Sequence, residues 1–324
     1  YNIDVSGTET LEDLEPVFAT IKENETDIAP MFTGGGAMNP LDAVIKSRAD
    51  ILGDGYGVLM DRGQEPTVTD YFESQEYEDY VSLFYDWGQK GYLLADSESI
   101  QDTYTTLFKA NKIFASFMTT KPGQVYQDER NTGLDLTLVE IEDPLTMTNL
   151  VNGIQWVVPA GASNPQKSVE VMNLLYTDAE FLNLLNYGIE GEHYVVTGDN
   201  TISLPEGMTS DQSPFNWSIA YESGNEFLCY TWDTDEPDLW EKTRQYNEEA
   251  TQSKAMGFIF DSSNVSAELT ALANVSSQYR VGLENGALDP AEYLDQFIAD
   301  LKTAGIDTVI AEKQTQLDEW LASN

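Results

Sequence analysis

Along the chain, stretches in which apolar side chains return every three or four residues alternate with short apolar runs that stop at glycine or proline. The first kind predicts amphipathic helices and the second predicts strands. Residues 10–22 place Leu11, Leu14, Phe18 and Ile21 on one face. Thr10 is set as an N-cap with Asp13 at the third helical position, a capping-box variant, and Pro16 tilts this helix or sets its effective start. Residues 74–89 repeat the pattern through Tyr77, Tyr80, Val81, Phe84, Tyr85 and Trp87 and stop at Gly88 and Gly91. Trp87 belongs to the core in this reading. A shorter helix is predicted over 103–110, and Pro165 opens another over 166–176.

Strands are predicted at 28–32, 112–118, 136–141 and 152–160. The first ends at Thr33 and three glycines, Gly34, Gly35 and Gly36, which let backbone approach a ligand and are equally an ordinary loop. The second ends in a polar turn, Thr119, Thr120, Lys121, Pro122 and Gly123, and strand ends of this kind face ligands in open α/β sheets. Beyond 203 the chain changes character. Pro205, Gly207 and Pro214 mark a loop, an aromatic stretch runs from 215 to 240, and helices follow at 266–282, 290–304 and 307–322. Alternating helices and strands predict an α/β architecture with mixed sheets.

Composition narrows the function classes. The 324 residues hold 56 acidic against 16 basic side chains, a formal charge of −40 that repels phosphate backbones and excludes nucleic acid as a partner. Seventeen Tyr and six Trp suit a surface on which something stacks, and suit two large cores equally well. The one cysteine, Cys229, excludes an internal disulfide and a thiolate metal cluster.

Triad and zinc constellations are missing, whereas the 56 acidic side chains make any single carboxylate pair for glycoside hydrolysis uninformative. The one histidine, His193, has no Gly-x-Ser-x-Gly elbow beside it, and histidine-rich zinc sites are excluded. Asp233, Asp235 and Asp238 faintly imitate a calcium loop, but Pro237 takes the fifth position and Arg244 stands where the bidentate glutamate belongs. No cofactor or metal is expected.

A family resemblance adds to this. Gly153 to Ala160, then Ser163, Asn164 and Pro165, then the helix to Tyr176 resemble the strand, turn and helix of family 1 extracellular solute-binding proteins of bacterial ABC transporters. Tyr187, Gly188, Glu190, Gly191 and Tyr194 resemble the Tyr-Gly-x-Glu-Gly-x-x-Tyr signature of a lipoprotein subgroup with a DUF3502-type C-terminal domain. Gly257, Phe258, Phe260 and Asp261, then Asn274, Val275, Gln278 and Tyr279, then Gly305, Ile306 and Asp307, and finally Gln316, Leu317 and Trp320, resemble the same subgroup.

The resemblance implies a type II periplasmic-binding-protein fold of two α/β lobes that close on a solute. It implies a crossing strand at 1–8, the second lobe at 9–150, a returning part of the first lobe at 151–213, and a region at 214–324 packed mainly on the second lobe. On that alignment much of the first lobe, and a lipidated cysteine anchoring the protein outside the cell, are expected outside residues 1–324. The implied ligand is a carbohydrate, an oligosaccharide above all, delivered by a monomeric protein to membrane permease subunits without catalysis. A peptide or polyamine ligand, a glycoside hydrolase and a structural surface module are the alternatives.

Sugar rings need an aromatic face and paired hydrogen-bonding groups. The aromatic candidates are Trp156, Tyr187, Trp217 and Trp232, and the polar ones are Thr33, Thr120, Lys121, Asn152, Gln155, Glu190 and Asn225. Trp156 on a strand serves a core as readily as a ligand, and Glu190 serves to fix its turn. Lys121 is placed for a carboxylated sugar.

Overall fold

The computed structural model describes residues 1–34, 40–215 and 220–324, without the side chains of 40–43, 98 and 211. The chain divides into two compact units. The first comprises Tyr1–Thr120, Leu138–Leu150 and Glu249–Asn324, and the second comprises Lys121–Thr137 and Val151–Glu248.

In the first unit, strand Ala29–Phe32 pairs in parallel with Ile113–Ser116, Met31 standing opposite Ala115, and Leu93 forms a parallel bridge to Met31 on the other side. Around it pack the helices Glu15–Asn24, Gln75–Gln89, Ser266–Glu284, Pro290–Ala304 and Ile306–Leu321. Pro16 sits in the first turn of its helix and sets the start, since proline needs no amide donor there. The expected capping box forms by half: Asp13 Oδ2 accepts the Thr10 amide at 2.9 Å, but Thr10 does not cap in return. Ser74, Thr103 and Asp289 each cap the helix that follows them.

Trp87 is fully buried and meets Phe18 edge-on with centroids 5.1 Å apart, so its expected core role holds. Phe72, Tyr77 and Phe297 continue the same cluster. Two of the charged side chains enclosed here form ion pairs. Glu284 accepts from Tyr77 Oη at 3.0 Å and Arg280 Nε at 2.8 Å. Lys313 donates to Asp54 Oδ1 at 2.5 Å and to the Tyr56 carbonyl at 2.8 Å. These two buried charges are therefore paired, which offsets much of the cost of their burial.

The second unit is built from helices Gln124–Thr132, Pro165–Thr177, Ala179–Tyr187 and Leu239–Glu249 and a three-stranded sheet. Val195–Gly198 runs antiparallel to Thr201–Ser203, which pairs in parallel with Thr231–Trp232. Its core holds Leu182, Tyr187, Tyr194, Ile202 and Cys229.

Two expected strands do not form. Residues 136–141 lie in irregular backbone, and in 152–160 the helix Thr148–Asn152 is followed by backbone without a ladder. Both runs have strand-like side chains but no neighbouring strand among the described residues, and a strand exists only in a pair. The compact units also divide the chain differently from the expected boundaries. Residues 121–137 cluster with 151–248, and the expected region 214–324 is split at 248/249. The aromatic stretch leaves the C-terminal helices because Tyr230, Trp232 and Trp240 pack on the core containing Tyr187 and Tyr194.

Candidate functional site

The second unit encloses a cavity of about 130 Å³. Lys121, Tyr187 and Trp232, all singled out by sequence, line it together with Arg130, Asn186, Glu226, Tyr230, Asp235 and Trp240. It forms because the helix Ala179–Tyr187 delivers Asn186 and Tyr187, the sheet strand Thr231–Trp232 delivers Trp232, and the turn before Gln124–Thr132 delivers Lys121.

Its aromatic wall is rigid. Tyr187 Oη donates to the Tyr230 carbonyl at 2.6 Å, and burial pushes its phenol well above the ordinary range. The ring meets Trp232 edge-on at 5.6 Å and Tyr194 at 6.2 Å. Trp240 Nε1 donates to the Cys229 carbonyl at 3.0 Å. Cys229 itself is buried, and burial raises its thiol to about 12, which leaves it protonated and unreactive.

Both cations in the wall are neutralised locally. Arg130 Nη1 reaches Asp235 Oδ1 at 2.8 Å, and the second oxygen of Asp235 accepts the Trp232 amide at 2.9 Å. Lys121 Nζ lies 3.3 Å from Glu226 Oε1 and 4.9 Å from the Tyr221 ring centroid. One acceptor is left open: Asn186 is 5% exposed and its Oδ1 has no partner. A buried acceptor without a donor is costly, so a donor entering the cavity finds a prepared place.

The Tyr-Gly-x-Glu-Gly-x-x-Tyr run forms a closed turn beside this wall. Gly188 has φ +83°, and a Cβ there would collide with His193 Nδ1. His193 Nδ1 accepts the Ile189 amide at 2.8 Å while its ring stacks on Phe215, so the lone histidine serves the turn. Glu190 is exposed and bridges Tyr194 at the base of this turn.

Among the remaining candidates of the second unit, Trp156 is 49% exposed and donates Nε1 to the Ser223 carbonyl at 2.9 Å. Asn152 and Gln155 are exposed, and none of these three lines the cavity. Asn225 donates its amide to the Leu175 carbonyl at 3.0 Å and also lies outside the lining. Trp217 falls outside the described residues, as do Gly35 and Gly36 of the glycine turn. In the first unit, Thr33 is buried with its hydroxyl 3.2 Å from that of Ser97, whereas the buried Oγ1 of Thr120 has no partner. Sequence reasoning missed Arg130, Asn186, Glu226, Asp235, Tyr230 and Trp240. Tyr230 and Trp240 lay in the aromatic stretch already noted, but nothing local marks the pairing of Arg130 with Asp235 across 105 positions.

Comparison with known proteins gives these features a context. Residues 254–322 match the domain of unknown function DUF3502. A carbohydrate ABC transporter substrate-binding protein of Streptococcus pneumoniae serotype 4 is 26% identical over 327 residues, covering 99% of this chain. The chain spans 64% of that relative's length. The crystal structure of the N-glycan transport solute-binding protein NgtS from Streptococcus pneumoniae superposes with a TM-score of 0.85 at 25% identity, covering 99% of this chain and 70% of its own. The same protein in complex with Man1GlcNAc gives 0.85 at 26% identity, covering 99% of this chain and 71% of its own. An HMO-binding ABC-transporter-associated solute-binding protein from Bifidobacterium longum infantis, at TM-score 0.52 and 16% identity over 96% of this chain and 70% of its own, shares the fold alone. These relatives are described as transport binding proteins and not as enzymes. The chain is similar in sequence and fold to carbohydrate solute-binding proteins of bacterial ABC transporters, with a type II periplasmic-binding-protein fold and a DUF3502 match over residues 254–322.

Proposed function

We propose that this chain serves as a solute-capturing component of a bacterial ABC importer, and that its solute is a neutral oligosaccharide built from mannose and N-acetylglucosamine. The observation that carries the reading is the superposition, over nearly the whole chain, on a protein solved with Man1GlcNAc and with Man5GlcNAc. The cavity of the second unit supports it as one subsite, offering an aromatic wall, the open Asn186 acceptor and fixed ion pairs. At about 130 Å³ it lies below the roughly 300–1,000 Å³ of whole small-molecule sites, so it takes one group of a longer ligand.

Neutrality of the ligand follows from Glu226 and Asp235. They compensate Lys121 and Arg130, so a carboxylated sugar would find no spare cation there and would meet a chain carrying −40. The placement of Lys121 for a carboxylated sugar, attractive in the sequence, loses its force for that reason. In this reading the protein works outside the cell as a monomer, hands its solute to membrane permease subunits and performs no chemistry. No helix among the described residues is long and apolar enough to cross a membrane.

A thermal-shift panel tests the assignment. Neutral mannose–N-acetylglucosamine glycans, uronic-acid oligosaccharides, peptides and polyamines are compared at equal concentration. A ligand at a hundred times its Kd adds roughly 2.7 kcal/mol of stability. Stabilisation by the neutral glycans alone is the expected result, and stabilisation only by a peptide or polyamine would overturn it.

A further inference from the structure

After its ion pairs are made, the cavity of the second unit keeps an acceptor and a donor that meet no partner among the described residues. The acceptor is Oδ1 of Asn186, a residue only 5% exposed. The donor belongs to His193, which lines the same cavity. Its Nδ1 accepts the Ile189 amide at 2.8 Å, which in a neutral ring places the proton on Nε2. Stacking on Phe215, with centroids 5.5 Å apart, holds the imidazole in that orientation. Gly188, at φ +83°, ends the helix Ala179–Tyr187, and the His193 amide bonds to the Ile189 carbonyl at 2.9 Å. The turn therefore folds His193 back against the helix end that carries Asn186.

We propose that this cavity is an N-acetyl subsite, taking the acetamido group of an N-acetylated amino sugar. The acetamido N–H donates to Asn186 Oδ1, its carbonyl accepts from His193 Nε2, and its methyl group packs on Tyr230 and Trp232. The assignment rests on the oligosaccharide reading above and adds the group that is recognised and a second role for the lone histidine. Other groups match the wall less well. A carboxylate sets oxygen against Asn186 Oδ1. An ammonium has no acceptor for His193 Nε2, and Glu226 and Asp235 are already taken by Lys121 and Arg130. A hydroxyl both donates and accepts, but about 130 Å³ has room for several water-sized groups, so a hydroxyl leaves an aromatic-walled space largely unfilled. The nitrogen, carbonyl and methyl of an acetamide fill it and satisfy both open atoms.

Calorimetric titration compares a mannose–N-acetylglucosamine disaccharide with mannose–glucose, which carries a hydroxyl in place of the acetamide. The unaltered protein is expected to bind the N-acetyl form about tenfold or more tightly, because the hydroxyl form leaves a buried polar group unpaired. In Asn186→Ala, and in His193→Phe, which keeps a ring against Phe215, that ratio falls below about threefold. The ratio is the readout because general damage to the fold weakens both disaccharides alike and leaves it unchanged. A ligand-side measurement needs no variant: N-methylation of the acetamide removes its N–H and costs the unaltered protein about tenfold in affinity. Equal binding of the two disaccharides overturns the inference and leaves the oligosaccharide reading standing. A ratio unchanged in both variants, or an N-methyl group without effect, also overturns the inference. Binding of neither disaccharide overturns it too, and the oligosaccharide reading falls with it only if longer glycans fail as well.

Discussion

The Arg130 guanidinium carbon lies 5.1 Å from the centroid of the Trp232 ring, and Asp235 holds both residues, one carboxylate oxygen on the guanidinium and the other on the Trp232 amide. A cation over one face and Tyr187 against the edge fix the indole in a single orientation. An indole held this way loses no side-chain freedom when a sugar ring stacks on it. Trp232→Ala is expected to weaken glycan binding about tenfold or more, since such aromatic contacts contribute about 0.5–1.5 kcal/mol beyond area. Calorimetric titration checks this, with Trp156→Ala, which lies outside the cavity, expected to change the affinity by less than about twofold.

The turn that follows Tyr187 depends on a missing side chain. Gly188→Ala puts a Cβ at φ +83° and into His193 Nδ1 and Phe215. The expected cost is about 2 kcal/mol or more, read as a lower thermal midpoint. Removing the ring in Gly188→Ala/His193→Ala relieves the collision but not the backbone strain, so rescue is partial. Complete rescue would show that the strain is negligible.

Asp70 supplies a pH dependence. Burial raises its carboxyl to about 6, with Glu73 and Asp307 adding to the rise, and its Oδ1 caps the Phe72 amide while its Oδ2 has no partner. Lys302 opposes the rise. Because the folded state holds the proton more tightly than the unfolded chain, the contribution is greatest below about pH 4 and is lost as pH climbs to about 6. At roughly 1.4 kcal/mol per unit the difference is on the order of 2–3 kcal/mol. Asp70→Asn keeps the cap, removes the titration and is expected to raise the melting temperature at pH 7 more than at pH 4. Denaturation curves at the two pH values check it.

Lys313 and Asp54 form an asymmetric pair. Lys313 is fully enclosed, and desolvation lowers its pKa, whereas Asp54 keeps 26% of its side chain in solvent. Asp54→Ala strands a buried ammonium and also removes the acceptor of the Tyr56 amide, at an expected cost of about 3–5 kcal/mol. Lys313→Met refills the space and leaves a carboxylate that water can reach, so it should cost less than half as much. Equal losses in urea denaturation would contradict this asymmetry.

How much of this was legible in the sequence differs by element. Helices with a capping residue and a clean apolar face, such as Gln75–Gln89 and Pro290–Ala304, were readable to within a residue or two, because cap and periodicity are both local. The runs at 136–141 and 152–160 were misread because a strand is decided by its partner, and no partner strand is present among the described residues. In the site, Lys121, Tyr187 and Trp232 were found as a polar turn residue and aromatics of suitable type. Arg130, Asp235 and the open oxygen of Asn186 were not, since their meaning comes only from contacts between distant parts of the chain.

The central claim is tested most directly by titrating Man5GlcNAc into the protein by isothermal calorimetry, with glycan integrity followed by mass spectrometry. The account predicts saturable binding of one glycan per chain, recovered intact, and no competition from uronic-acid oligosaccharides. Cleavage of the glycan, or the absence of binding together with binding of a peptide or polyamine, would contradict it.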